Sequence, residues 1–224
     1  MINPQKQQPL SQSSDAGFTI MESLMAMMII TILMLGISPM IVLGVANRVQ
    51  SRRVEIGVQA ARAYIDGLRS EAIDPPGQTV TMKAEDVENR TTFAQTEAPK
   101  RAKLNCQKNS YCKSQPKNSM YCVDLDDDNV CTSDSSRDLI IQGFRSIPSS
   151  GNGDDNETYF LGVRVYRADA FKDKGDLTIG EKGAKAKSRG PGLSDRKAPL
   201  VEMTTEITTD TPSYSDFCQR LGCN

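Results

Sequence analysis

Residues 24–46 form the most apolar stretch of the chain and contain no charged side chain. The stretch is long enough to span the roughly 30 Å hydrocarbon core of a bilayer. The residues before it are polar, the small pair Ala16-Gly17 precedes it, and Glu22 stands at its start. A secretory signal peptide has its small-residue cleavage site after a shorter apolar core. The pattern therefore predicts a membrane-inserted helix that is not an ordinary signal peptide.

Apolar positions beyond residue 46 recur at the spacing of one helix face. Steps of three and four residues separate Val54, Val58, Ala61, Ile65, Leu68 and Ala72. Charged and polar side chains occupy the opposite face, and Pro75-Pro76-Gly77 is a stop signal. We therefore predict one helix from Phe18 to Ala72, with Pro39 as a candidate kink. The apolar stripe of its second half needs a partner layer, most simply a sheet.

The rest of the chain contains short apolar runs of the kind that form strands. The predicted strands are Thr158–Tyr166, Leu200–Thr209, a stretch around Leu139–Phe144, and a short edge strand at Thr79–Met82. Two long polar segments, 83–121 and 169–198, are predicted to be mostly solvated loops. The expected fold class is α+β, with a long N-terminal helix packed on a small antiparallel sheet.

Composition narrows the chemistry that the chain can perform. It has no histidine and no tryptophan, and its formal net charge is −1. The lack of histidine excludes Ser-His-Asp and Cys-His catalysis and histidine zinc sites. The lack of a basic excess argues against nucleic acid as a partner. We expect neither an enzyme nor a nucleic-acid-binding protein.

All of the cysteines follow the apolar stretch; they are Cys106, Cys112, Cys122, Cys131, Cys218 and Cys223. An even number in a loop-rich region favours disulfides and an oxidising, extracytoplasmic compartment. Reduced thiols or a zinc site of four cysteines are the alternative. Cys218–Cys223 is the first expected pair, because the residues between them can turn. The other four cysteines allow three connectivities, and the sequence does not choose among them.

An acidic cluster lies between Cys122 and Cys131. Its carboxylates at positions 1, 3 and 5 match a calcium loop, a backbone carbonyl is available at position 7, and an asparagine replaces the turn glycine. Position 12 is Ser135, so a bidentate ligand must come from further along the chain. The candidate ligands are Asp124, Asp126, Asp128, Val130 and either Asp134 or Asp138. A solvated acidic turn is the alternative. We expect no required cofactor, and calcium is the one candidate ligand.

Residues 17–24, Gly-Phe-Thr-Ile-Met-Glu-Ser-Leu, resemble the prepilin cleavage and methylation motif of type IV pilins and type II secretion pseudopilins. The match rests on Gly17, Phe18 and Glu22, followed by the apolar stretch. The resemblance implies cleavage between Gly17 and Phe18 by a prepilin peptidase and N-methylation of Phe18. It further implies a pilin-like fold with disulfide-tied loops. Glu22 would serve assembly by pairing with the amino terminus of a neighbouring subunit.

The resemblance also implies an organisation and a location. Residues 1–17 would be a cleaved leader, 18–46 a transmembrane and assembly helix, 47–74 its amphipathic continuation, and 75–224 a globular periplasmic head. The subunit would cross the inner membrane once and enter a filament, with other pilins or pseudopilins and the assembly platform as partners. The arginines at positions 48, 52 and 53 favour the opposite orientation by the positive-inside rule. The leader motif and the cysteines outweigh them.

Three further stretches, 60–69, 160–168 and 195–201, are similar to the cyanobacterial pseudopilins of hormogonium polysaccharide secretion. This similarity implies a role in polysaccharide export and gliding motility, with polysaccharide as a further partner. The rival hypothesis is a membrane-anchored extracytoplasmic binding module that does not polymerise. The two differ in what they require of Glu22, which only the filament needs.

Overall fold

The computed structural model describes residues 19–82, 91–113, 116–148, 159–172, 174–179 and 195–208. The predicted cleavage site Gly17-Phe18 and the pair Cys218 and Cys223 lie outside them. The elements are, in chain order, α1 (Ile20–Arg69), β1 (Thr79–Met82), α2 (Thr91–Gln95), β2 (Asn105–Gln107), β3 (Met120–Val123), β4 (Val130–Thr132), β5 (Leu139–Pro148), β6 (Tyr159–Arg167) and β7 (Val201–Ile207). The chain divides into two compact units, Met1–Gly44 and Val45–Asn224.

The long helix forms as the hydrophobic pattern predicts. Pro39 lies inside α1 and does not end it. The helix ends at Arg69 instead of Ala72, because Glu71 adopts a left-handed φ of 57° and turns the chain. The N–H of Ile73 then donates to the carbonyl of Gly67 at 3.1 Å, which satisfies one of the free carbonyls at the helix end.

The sheet is mixed, so the prediction of an antiparallel sheet is wrong for one strand. β5 pairs antiparallel with β6 and with β3, and β6 pairs antiparallel with β7. β1 instead runs parallel to β5, with Thr79 opposite Arg145. A parallel pair needs a long crossover, and the chain between β1 and β5 supplies one that includes α2 and three short strands. β1 and β3 lie along the same edge of β5, at opposite ends of it.

Both faces of the sheet are buried. On one face, the second half of α1 places Ala61, Tyr64 and Ile65 in one core with alternate residues of β5 and β6. The helix approaches closely at Gly143, where an added Cβ would lie 2.4 Å from the Tyr64 hydroxyl oxygen. On the other face, Ile140 and Tyr166 share a second core with the four bridged cysteines. Alternate residues of β5 and β6 therefore face different cores, one on each side of the sheet.

The polar segment 83–121 contains more structure than the sequence predicts. It includes α2 and β2, and β3 begins in it. β2 pairs antiparallel with β4 in a separate two-stranded ladder that sets Cys106 opposite Cys131. Short elements such as these carry no periodic signal, because each is only three to five residues long.

Two disulfides are formed among the described cysteines, Cys106–Cys112 and Cys122–Cys131. This pairing is one of the three connectivities that the sequence leaves open. Each bridge closes a short loop, and the second encloses the acidic cluster. A bridge over so short a loop stabilises the fold mainly by restricting the unfolded chain.

Candidate cation site and apolar helix

The first half of α1 exposes its apolar side chains. None of the residues in its most apolar 18-residue stretch is buried, and the helix is long and apolar enough to cross a membrane. Ile20, Met25, Leu35 and Ile41 are each more than half exposed. Exposed apolar surface of this extent is unfavourable in water, and a bilayer or an apolar protein surface would cover it.

Glu22 lies in the first turn of this apolar segment and is exposed. Thr19 directly precedes the helix, and its carbonyl accepts the N–H of Glu22 at 3.0 Å and the N–H of Ser23 at 3.1 Å. An acidic residue in the first turn interacts favourably with the helix dipole. That interaction does not offset the cost of placing a lone carboxylate in an apolar medium.

The acidic loop between β3 and β4 gathers the carboxylates at positions 1, 3 and 5 of the predicted calcium loop. Ligand oxygens of Asp124, Asp126 and Asp128 lie within 4.8 Å of one another. Asp127 and Asn129 adopt left-handed φ values of 62° and 69°. Asn129 therefore has the left-handed backbone that a residue in place of the turn glycine requires.

Asp124 organises this loop from its buried centre. Its Oδ1 accepts the N–H groups of Asp126 at 3.1 Å and Asp127 at 2.8 Å, and its Oδ2 accepts that of Asn129 at 2.9 Å. Burial raises the pKa of Asp124, but the three backbone donors together outweigh it and hold the pKa below its ordinary value. The carboxylate is therefore ionised and fixed in position.

Asp138 is a fourth carboxylate, fully buried and near enough to Asp124 and Asp126 for their charges to act on it. Its Oδ1 accepts the N–H of Leu125 at 3.1 Å, whereas its Oδ2 has no hydrogen-bond partner among the described residues. Burial raises the pKa of Asp138, and the charges of Asp126 and Asp124 raise it further, against the donors from Leu125 and Ser135. A buried carboxylate in this state would be stabilised by a nearby cation.

Asp126 is in a similar position. Its Oδ2 accepts the Ser135 hydroxyl at 2.8 Å, but its Oδ1 is buried and has no partner in the described part of the chain. Ser135 therefore supports an acidic residue and is itself at position 12 of the loop. Among the described residues, Asp126 and Asp138 therefore each have one buried carboxylate oxygen without a hydrogen-bond partner.

The two remaining predicted ligands, Asp134 and Val130, have different surroundings. Asp134 is exposed and forms an ion pair with Lys172 Nζ at 2.8 Å, which lowers the pKa of Asp134. Its carboxylate is therefore engaged away from the cluster, and of the two candidates for the last ligand the structure favours Asp138. Val130 begins β4, and its N–H donates to Asp128 Oδ1 at 3.0 Å.

The sequence gives no indication of Lys108, the cation that lies closest to this loop in the structure. Lys108 Nζ is 2.5 Å from Asp127 Oδ1 and 3.7 Å from Asp124 Oδ2. The hydrogen bond to Asp127 is the main cause of a raised pKa at Lys108. The pairing of β2 with β4 brings Lys108 here, and strands this short carry no periodic signal from which that pairing could be predicted.

The donor set fits calcium. Calcium prefers about six to eight oxygen ligands from carboxylates, carbonyls and water. The cluster supplies carboxylate oxygens, two of which lack partners. Soft metals prefer thiolates, but the described cysteines are bridged.

In the part of the chain that the structure describes, these features define an α+β protein with one helix of membrane-spanning length and an acidic loop suited to a hard cation. Comparisons of the chain with protein-family models, with curated proteins and with solved structures found no match.

Proposed function

We propose that this protein is a minor pilin or pseudopilin, a non-enzymatic subunit of a type IV pilus-like or type II secretion-like filament. The observation that carries the proposal is a membrane-length helix whose apolar half is wholly unburied and bears a single carboxylate, Glu22, in its first turn. A plain membrane anchor needs no charge at this position. A helix that packs against copies of itself can use the charge to pair with a neighbouring subunit.

The physical role of Glu22 follows from the cost of its charge. A carboxylate in an apolar filament core is strongly disfavoured unless an opposite charge pairs with it. Prepilin peptidase would free the amino group of Phe18, four residues before Glu22, and a methyltransferase would modify it. Glu22 of one subunit can then neutralise the terminus of the next and fix the register between them.

The proposed location is the inner membrane, with the head in the periplasm before assembly and in the filament afterwards. The two disulfides support an oxidising compartment for the head. The expected partners are prepilin peptidase, the assembly platform and other pilin-like subunits. Polysaccharide export and gliding motility remain the proposed process, on the sequence resemblance alone.

The first test is mass spectrometry of the N-terminus of the protein purified from its host. A chain that begins at N-methylated Phe18 supports the proposal, and one that retains residues 1–17 contradicts it. The second test compares Glu22→Gln with Glu55→Gln, since Glu55 is an exposed carboxylate of α1 beyond the apolar stretch. We expect Glu22→Gln to remain in the membrane and to be lost from sheared filaments, and Glu55→Gln to assemble normally. Normal function of Glu22→Gln would favour the anchored binding module.

A second proposed function, calcium binding by the acidic loop, is favoured by the unpartnered oxygens Asp126 Oδ1 and Asp138 Oδ2. Asp124, Asp126, Asp128 and Asp138 would hold the ion, with the Val130 carbonyl as a further candidate. Calcium would supply a positive charge to the unpartnered oxygens of Asp126 and Asp138 and would stabilise the loop.

The test is the melting temperature of the detergent-solubilised full chain, first in chelator and then in millimolar calcium. Calcium should raise the melting temperature of the wild type and have little effect on Asp126→Asn. An unchanged wild-type melting temperature would end this second proposal.

A further inference from the structure

We propose that Lys108 is an internal counter-ion of the acidic loop, which a calcium ion must displace, and that Lys108 thereby sets the affinity of the site. This inference rests on the proposed calcium function. It concerns a residue outside the loop, on the other disulfide-closed segment, Cys106–Cys112.

Lys108 is held against the loop by its backbone as well as by its charge. Its N–H donates to the carbonyl of Asn129 at 3.0 Å, next to the end of the β2–β4 ladder. Its ammonium lies between a buried carboxylate, Asp124, and an exposed one, Asp127. The side chain therefore stands on the solvent side of the cluster.

The position of the ammonium determines its effect on an incoming ion. Asp124 is one of the proposed calcium ligands, and the ammonium nitrogen is only 3.7 Å from its Oδ2. A divalent cation bound to the same carboxylate would meet a like charge at close range, where screening by solvent is weakest. The ammonium must leave Asp124 before calcium binds well.

Lys108 can leave by moving its side chain alone. Its side chain is 34% exposed, and its partner Asp127 is 86% exposed, so this pair contributes little to stability. The cost of displacement lies mainly in leaving the buried Asp124, and a lysine stem has several rotatable bonds. The backbone hydrogen bond to Asn129 does not depend on where the ammonium points. Displacement therefore requires movement of the side chain and leaves the ladder intact.

A purely structural role for Lys108 predicts a different behaviour. If Lys108 only stabilises the fold, its removal lowers the melting temperature equally with and without calcium. If Lys108 competes with the ion, its removal lowers the melting temperature in chelator and tightens calcium binding. The two roles therefore differ in the sign of the effect on affinity.

The experiment is isothermal titration of calcium chloride into the detergent-solubilised full chain after removal of divalent ions. The variants are Lys108→Met, Lys108→Arg, which keeps the charge, and Lys113→Met, an exposed lysine beyond the bridge. We expect Lys108→Met to bind calcium about tenfold more tightly, equivalent to roughly 1.4 kcal/mol. The other two variants should stay within about twofold of the wild type.

Each outcome decides the proposal. Wild-type affinity or weaker binding in Lys108→Met overturns the role of Lys108 and leaves the calcium site intact. Measurable binding by the wild type together with tighter binding by Lys108→Met supports the proposal. No calcium binding by any variant, with melting temperatures that show each one folded, overturns both the site and the inference.

Discussion

Replacing Asp138 by asparagine should have opposite effects in the absence and in the presence of calcium. Without calcium, the buried carboxylate has one unpartnered oxygen, and its pKa is raised first by burial and then by the charges of Asp126 and Asp124. The folded state therefore holds the proton more tightly than the unfolded chain does, so folding is less favourable with Asp138 ionised than neutral. Asparagine removes the charge and still offers an oxygen to the Leu125 N–H.

The size of this effect follows from the cost of an unsatisfied buried group, about 1–3 kcal/mol. We expect Asp138→Asn to raise the free energy of unfolding by about 1–2 kcal/mol in chelator, which corresponds to an increase of roughly 4 °C in melting temperature for a domain of this size. In saturating calcium the order reverses, because the wild type retains an anionic ligand that the variant has lost.

The assay is thermal unfolding of the full chain in detergent, with matched chelator and calcium samples. Asp66→Asn is the control, since Asp66 is an exposed carboxylate of α1 whose contact with Arg69 is 3.8 Å. The melting temperature of this control should differ little from that of the wild type in either condition. If Asp138→Asn instead lowers the melting temperature to the same extent in both, the carboxylate is a satisfied structural acceptor and the reasoning is wrong.

Three further substitutions test the fold and the loop. Gly162→Ala should destabilise the head by about 2 kcal/mol or more, measured by chemical denaturation, because the added Cβ would lie 2.1 Å from Phe144 Cε2. Arg164→Leu should lower the free energy of unfolding by about 3–5 kcal/mol in the same assay. The guanidinium donates to Glu202 at 2.8 Å and to carbonyls of α2, and the substitution would leave these carbonyls buried and unpaired. Replacing Cys122 and Cys131 together by serine should weaken calcium binding, measured by titration, because the loop must then be ordered on binding.

The helix and the long strands were predictable because their signals are local. The three- and four-residue steps of α1 and the alternation in β6 and β7 each lie within one element. Arg164 shows the limit of such signals. Its place in the alternation of β6 is compatible with a solvent-facing position, yet it is fully buried, because α2 covers it and accepts hydrogen bonds from it. A five-residue helix has no periodicity from which that cover could be inferred.

The same distinction applies to the acidic loop. Asp124, Asp126 and Asp128 come together because they share one short loop, so their spacing was sufficient to predict the cluster. Lys108 and the engagement of Asp134 by Lys172 depend on pairings between distant segments. Contacts of that kind are set by sheet register and by disulfide connectivity, and one sequence leaves both open.

The loop is organised before any ion binds, and this bears on what calcium would do. The bridge Cys122–Cys131 closes the loop, and the Asp124 carboxylate accepts hydrogen bonds from three of the loop's own N–H groups. Little conformational entropy then remains to be lost on binding, so the ion need only shed water and displace Lys108. Calcium would therefore act on the stability and charge of the head more than on its shape. A site whose own lysine opposes the ion would be suited to a calcium concentration in the millimolar range.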